Sequence, residues 1–141
     1  MLQLRRLISI AGYVLTGCLL AACASPAYLD CQPGETPQIR DLLYFGTQKE
    51  GGFVTDHEWS SFMESVITPR FPEGLTVVKG SGQWLAQNGE VIREPSHILS
   101  LIYSHTRDRD AEVAEIIQTY KRQFDQEAVL RVRSRACVSF P

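Results

Sequence analysis

Three histidines, a run of arginines near the C-terminus and four cysteines are the residues whose chemistry could matter most in this chain. Histidine is the commonest acid–base group and metal ligand near neutral pH, so its spacing comes first. His57 falls in the first turn of an expected helix beside Glu58, a solvated position. His97 opens an apolar run behind Glu94-Pro95-Ser96, and His105 follows the end of that run. Eight residues of strand separate them by roughly 25 Å, so they share no metal ion unless the chain folds back. Ser96 and His97 are neighbours, and neighbours on a strand point to opposite faces. The chain has no G-x-S-x-G elbow and no phosphate-binding loop; Gly80-Ser81-Gly82 is too short and precedes no helix. No catalytic set, metal site or cofactor is expected.

The arginines make the most suggestive pattern. Val129, Arg131, Arg133 and Arg135 alternate with Leu130 and Val132. If Leu130 and Val132 face the helices, the arginines lie on the far side of a sheet. Leu99, Leu101 and Tyr103 would likewise face the helices and leave Ile98, Ser100 and Ile102 outside. A face combining Ile98, Ile102 and Val129 with Arg131 and Arg133 is too apolar for plain surface, and Tyr44 and Trp84 are expected near it. Three readings stay open: a homodimer interface through the sheet, a groove for an anionic or aromatic ligand, or arginines paired with acids such as Glu94. A small enzyme acting on an organic substrate is the alternative to a binding module. It would need at least two of Tyr44, His97 and Arg131 in one closed pocket.

The cysteines depend on what happens at the N-terminus. Arg5 and Arg6 precede an apolar run from Leu7 to Ala22 that is too short to span a bilayer, which takes about 20 apolar residues. The run ends in Leu20-Ala21-Ala22-Cys23, the form of a bacterial lipobox. Residues 1–22 are therefore expected to be a lipoprotein signal peptide, with Cys23 lipidated. Acyl chains contribute about 0.8 kcal/mol per buried CH₂, so two or more anchor stably. The expected address is the cell envelope, on the periplasmic side, and Ala24 after the cysteine points to the outer membrane. Cys18 leaves with the leader, so Cys31 and Cys137 remain to form a disulfide in an oxidising compartment; two buried thiols are the alternative. Of 14 basic residues two leave with the leader, so twelve face 16 acids. That acidic balance excludes nucleic acid as a partner.

Behind the anchor, residues 23–39 carry Pro26, Pro33, Gly34 and Pro37 and read as a tether, leaving 40–141 as one domain. Asp41–Gly46 reads as a first strand. Thr55 and Glu58 form a capping box, and Trp59, Phe62, Met63, Val66 and Ile67 give one helical stripe up to Pro69. Leu75–Lys79 is a second strand, with a bulge expected at Gly80-Ser81-Gly82 before Gln83–Leu85. Asn88-Gly89 is a hairpin turn into Val91–Arg93, a break at Pro95 and a third strand at Ile98–Tyr103. A second helix, capped by Asp108 or Asp110, buries Val113, Ile116, Ile117, Tyr120 and Phe124. Ala128–Val132 is the last strand. The order β-α-β-β-α-β predicts an α+β, ferredoxin-like fold: a four-stranded antiparallel sheet with two helices on one face. That topology brings the entry of the first strand to the exit of the last, where Cys31 and Cys137 stand.

The segments Tyr44-Phe45-Gly46, Thr68-Pro69-Arg70-Phe71-Pro72, Gly74-Leu75-Thr76-Val77, Gly82-Gln83-Trp84, Arg93-Glu94-Pro95-Ser96 and Val129-Leu130-Arg131-Val132 resemble bacterial proteins grouped as domain of unknown function 3574. The resemblance runs over roughly residues 40–141. It implies a small exported or lipid-anchored domain, and it implies no reaction, cofactor or site residue.

Overall fold

The computed structural model describes residues 30–85 and 88–141; the expected signal peptide and lipidation site at Cys23, with Ala24, lie outside the described residues. Strand β1 (Thr36–Gly46) alternates outward and inward residues, and Ile39, Asp41, Leu43 and Phe45 point inward. It begins inside the stretch expected to be tether. A two-strand ribbon follows, β2 (Gln48–Lys49) with β3 (Gly52–Phe53), turning at Gly51 with φ 80°. Helix α1 (Asp56–Phe62) opens on the capping box: Thr55 Oγ1 accepts from the Glu58 N–H, and the Glu58 carboxylate accepts from the Thr55 N–H at 2.8 Å. The same stripe continues through a π-helical turn, Met63–Ile67. Thr68 and Arg70 close it, Arg70 donating to the Val66 carbonyl at 2.6 Å, as suits a cation at a helix C-terminus.

Strands β4 (Thr76–Leu85) and β5 (Val91–Tyr103) form the long hairpin, and Gly89 takes the left-handed conformation that the turn requires. Two expectations fail here. The Gly80-Ser81-Gly82 stretch holds the regular ladder, opposite Ser96, Pro95 and Glu94, with no bulge. Gly80 is small because a Cβ there would come within 3.0 Å of Ser96 Oγ and 3.2 Å of Ile98 Cδ1. Nor does Pro95 break the strand. In a strand the N and O of one residue point to the same side, and the Pro95 carbonyl accepts from Thr47 Oγ1 at 2.7 Å. The missing N–H therefore points past the end of β1, where no ladder partner waits.

Helix α2 (Arg107–Phe124) is capped by Thr106, whose Oγ1 accepts from the Arg109 N–H, and not by either aspartate. Thr106 is in extended conformation, as an N-cap must be, while Asp108 and Asp110 lie in the first turn. Strand β6 (Leu130–Val138) is displaced from the expected Ala128–Val132, because the early start of β1 gives it Thr36–Gln38 to pair with. The sheet order is β4-β5-β1-β6, all antiparallel. Both helices cover one face, so the architecture is the ferredoxin-like α+β sandwich. Its core is an aromatic cluster in which Phe45 meets Trp59 at 5.3 Å and Tyr120 at 4.6 Å, and Phe62 meets Phe124 at 5.9 Å. Cys31 and Cys137 are disulfide-bonded with Cα atoms 5.5 Å apart, tying the entry of β1 to β6. Among the described residues, no helix is long and apolar enough to cross a membrane.

Candidate functional site

The two faces of the sheet are unlike what alternation alone suggests. Arg131 pairs with Leu43 and Arg133 with Asp41 across β1–β6, so both arginines stand on the helix-covered side. Leu130 and Val132 face outward, the reverse of the expected orientation. The cause is Asp41, which is wholly buried on the inward series of β1. A buried carboxylate without a cation costs several kcal/mol or more, whereas a leucine and a valine left in water cost roughly 1.5–3 kcal/mol each. The charge wins, and β6 turns its arginines in.

Around Asp41 the groups satisfy one another. Arg131 donates through Nη2 to Asp41 Oδ2 at 2.6 Å and to Asp110 Oδ1 at 2.7 Å. Arg133 donates through Nε to Asp41 Oδ1 at 3.1 Å and also pairs with Asp110. The Tyr103 hydroxyl donates to Asp41 and accepts from Arg133 Nη2 at 2.8 Å. Burial, reinforced by that carboxylate, pushes the Tyr103 hydroxyl far above its ordinary pKa. Two acids and two bases lie in one knot that joins β1, β5, β6 and α2. It is built to hold the sandwich together, and its guanidiniums are already engaged.

His97 is also on the helix side. It is buried and stacked on Trp59, with ring centroids 4.2 Å apart and planes within 3°. Its Nδ1 has no hydrogen-bond partner among the described residues. Burial chiefly lowers its pKa, the Lys79 charge adds to that, and Asp56 partly opposes both. His57 and His105 are exposed. Thus Tyr44, His97 and Arg131 do not converge. Tyr44 and Trp84 face outward, while His97, Arg131 and Arg133 face the helices, His97 against Trp59 and the two arginines together around Asp41. Cys31, Glu35 and Cys137 lie close enough to resemble a ligand set, but both sulfurs are used by the disulfide.

What remains is the uncovered face. Reading across the strands, Leu130, Tyr44, Ile98 and Val78 form one row, and Val132, Leu42, Ser100 and Thr76 form the next. Leu130, Val132, Val78, Ile102 and Trp84 are between 42% and 59% exposed. Along all four strands the outward series carries only two charged residues, Arg40 and Glu94. Neither was singled out as a site by sequence. Arg40 is exposed, flanked by Ile102 and Ser134.

Glu94 sits at the other end. Its Oε2 accepts from the Thr47 N–H at 3.1 Å and from the Gln48 N–H at 2.9 Å. Its Oε1 occupies the space over Gly46, 2.7 Å from where a Cβ would be. Gly46, Ser96, Gly80 and Gly82 make two rows of small residues beside it. Gly46, Ser96 and Gly82 form the floor of a groove of about 910 Å³ that Tyr44, Leu130, Ile92 and Trp84 flank, with Lys49, Glu50, Asp125 and Glu127 also lining it. A second groove, of about 520 Å³, lies at the opposite end of the sheet near Gln38, Ile102 and Phe140. Neither contains His97 or Arg131.

Solved structures share this fold. A phage SAM lyase in complex with S-methyl-5'-thioadenosine superposes with a TM-score of 0.54 at 12% identity, over 79% of this chain and 94% of that one. CutA from Synechococcus elongatus superposes at 0.50 with 15% identity, over 74% of this chain and 83% of that one. At such identities the likeness is one of fold alone. Among curated proteins none matches the chain. A family model does match: that of the proteins of unknown function DUF3574, over residues 40–140. The match takes in β1 from Arg40 on, the other three strands of the sheet and both helices, and the chain belongs to that family.

Proposed function

We propose that this protein is an envelope-anchored interaction module, held by a lipid on Cys23, whose uncovered sheet face binds a second copy of itself. The observation that carries the reading is the composition of that face: apolar across four strands, with one cation and one anion. Monomers rarely leave such a surface to water. The size also fits. Eleven residues of β1 span about 36 Å and four strands about 19 Å, roughly 700 Å² per copy. Two copies would bury about 1,400 Å², within the usual range for stable complexes of about 1,200–2,000 Å². Sheets pack face to face at about 10 Å with aligned strands and interdigitating side chains, as the apolar rows here would allow.

Binding is favoured over catalysis because the polar groups that could act on a substrate are separated by the sheet. The passage to the outer membrane follows from Ala24 behind Cys23 and belongs to the same proposal. The test is the mass of the detergent-solubilised full chain by sedimentation, with and without Leu42→Lys and Val132→Lys. Two chains per particle in the wild type and one in the variants supports the reading. A single chain at all concentrations, or variants that still pair, overturns it.

A further inference from the structure

The two charges of the uncovered face are placed so that the face complements itself. Arg40 and Gly46 are six residues apart on β1, about 20 Å, and the midpoint between them is Leu43, level with the apolar rows. Glu94 carries its carboxylate over Gly46. A two-fold axis running across the strands at the level of Leu42 and Tyr44, between two stacked faces, reverses the strand direction and lays β1 on β1. That operation puts Arg40 of each copy over Gly46 and Glu94 of the other. It is the isologous arrangement expected of a two-fold dimer.

Shape and charge agree. Arg40 is long and exposed, and no carboxylate among the described residues pairs with it. The region opposite is a trough of about 910 Å³ with Gly46, Ser96 and Gly82 on its floor and Tyr44 and Trp84 at its flanks. Glu94, the anion on the sheet face itself, is held rigid by two backbone N–H groups through Oε2, while Oε1 lies over the glycine; Glu50, Asp125 and Glu127 add negative charge to the same trough, beside Lys49. An arginine entering there would find a carboxylate oxygen and two aromatic flanks, the setting in which guanidinium is best received. Glycine at position 46 also leaves the carboxylate its place: any side chain would displace Glu94.

We infer that the second copy docks in one register, set by two reciprocal Arg40–Glu94 pairs that close over the trough, one at each end of the apolar rows. This rests on the self-association proposed above and adds to it the residues that select the partner and the strand direction. A second copy fits because one patch supplies both halves of each pair; a foreign partner would have to reproduce both ends at once.

The experiment is a charge exchange read by sedimentation on the full chain in detergent. Arg40→Glu alone sets Glu against Glu94 twice, and Glu94→Lys alone sets Lys against Arg40 twice. Each should raise the dimer dissociation constant about tenfold or more. An equimolar mixture of the two variants restores both pairs and should give a heterodimer at concentrations where neither variant pairs with itself. Glu94→Lys also removes the acceptor of the Thr47 and Gln48 N–H groups. If it does not fold, Glu94→Gln keeps an acceptor oxygen, and Arg40→Ala combined with it should weaken pairing little more than either alone. A wild type that is monomeric overturns the self-association itself. A wild-type dimer that neither charge variant weakens, a mixture that forms no heterodimer, or single effects that simply add, overturns the register while leaving the dimer standing.

Discussion

Replacing Asp41 by alanine tests why the faces of this sheet are disposed as they are. Asp41 is the buried member of the knot, with Arg131, Arg133 and Tyr103 all bonded to its carboxylate. In Asp41→Ala only Asp110 remains to face two guanidiniums, and the Tyr103 hydroxyl loses its acceptor. Removing one partner from a buried ion cluster costs about 3–5 kcal/mol. The arginine side chains are 23% and 33% exposed, so water recovers part of the loss and the lower end, about 3 kcal/mol, is expected. For a domain of this size that corresponds to a fall in Tm of roughly 12 °C. Urea denaturation with the disulfide intact should show the midpoint falling with the slope unchanged. Asp41→Leu together with Arg131→Met and Arg133→Leu should lie much nearer the wild type, since apolar groups of similar volume replace such clusters at little cost. A loss below about 1 kcal/mol in Asp41→Ala would refute the claim that the buried carboxylate turns β6.

Three shorter predictions accompany it. His97 is held neutral in the folded protein, its pKa lowered from 6.5 mainly by burial and then by Lys79. The stability it contributes is complete above about pH 6.5 and is lost as pH falls through its folded value; His97→Phe should flatten this acid limb in thermal melts, and an unchanged limb would contradict it. The Cys31–Cys137 bridge closes a separation of 106 residues, so Cys31→Ala with Cys137→Ala should cost up to about 4.7 kcal/mol by urea denaturation, and the wild type should show no free thiol at either position to labelling without reductant. Cys23→Ala should abolish incorporation of labelled fatty acid and release the protein from membranes; retention would mean the anchor lies elsewhere.

The elements that follow from local chemistry were legible in the sequence. The Thr55–Glu58 box, the Trp59–Ile67 stripe and Asn88-Gly89 fix their own geometry within a few residues, and their order dictates a ferredoxin-like sheet. Alternation located the strands but could not say which series of β6 points inward. Leu130 and Val132 against Arg131 and Arg133 looks like an apolar inside and a charged outside, and a partner on a different strand reversed it. The clue was present: Asp41 interrupts the inward series Ile39, Leu43, Phe45, and a buried acid demands a cation. Arg40 and Glu94 were invisible as a pair because each looks like ordinary surface until the register of four strands shows that nothing else on their face is charged. Pro95 and Gly80 misled for a related reason, since a proline's missing N–H or a glycine's missing side chain has meaning only against the neighbouring strand.

The central claim is that the uncovered face is an interface, and side-chain footprinting of the wild-type protein across a range of concentration tests it most directly. Leu130, Val132, Val78 and Trp84 are exposed in the single chain and should lose reactivity together as concentration rises, with Arg40 shielded in step. Phe53, exposed on the ribbon beside the helices, should not change. Reactivity of the face that stays constant from the lowest to the highest concentration, or protection that falls on Phe53 instead, would contradict the account.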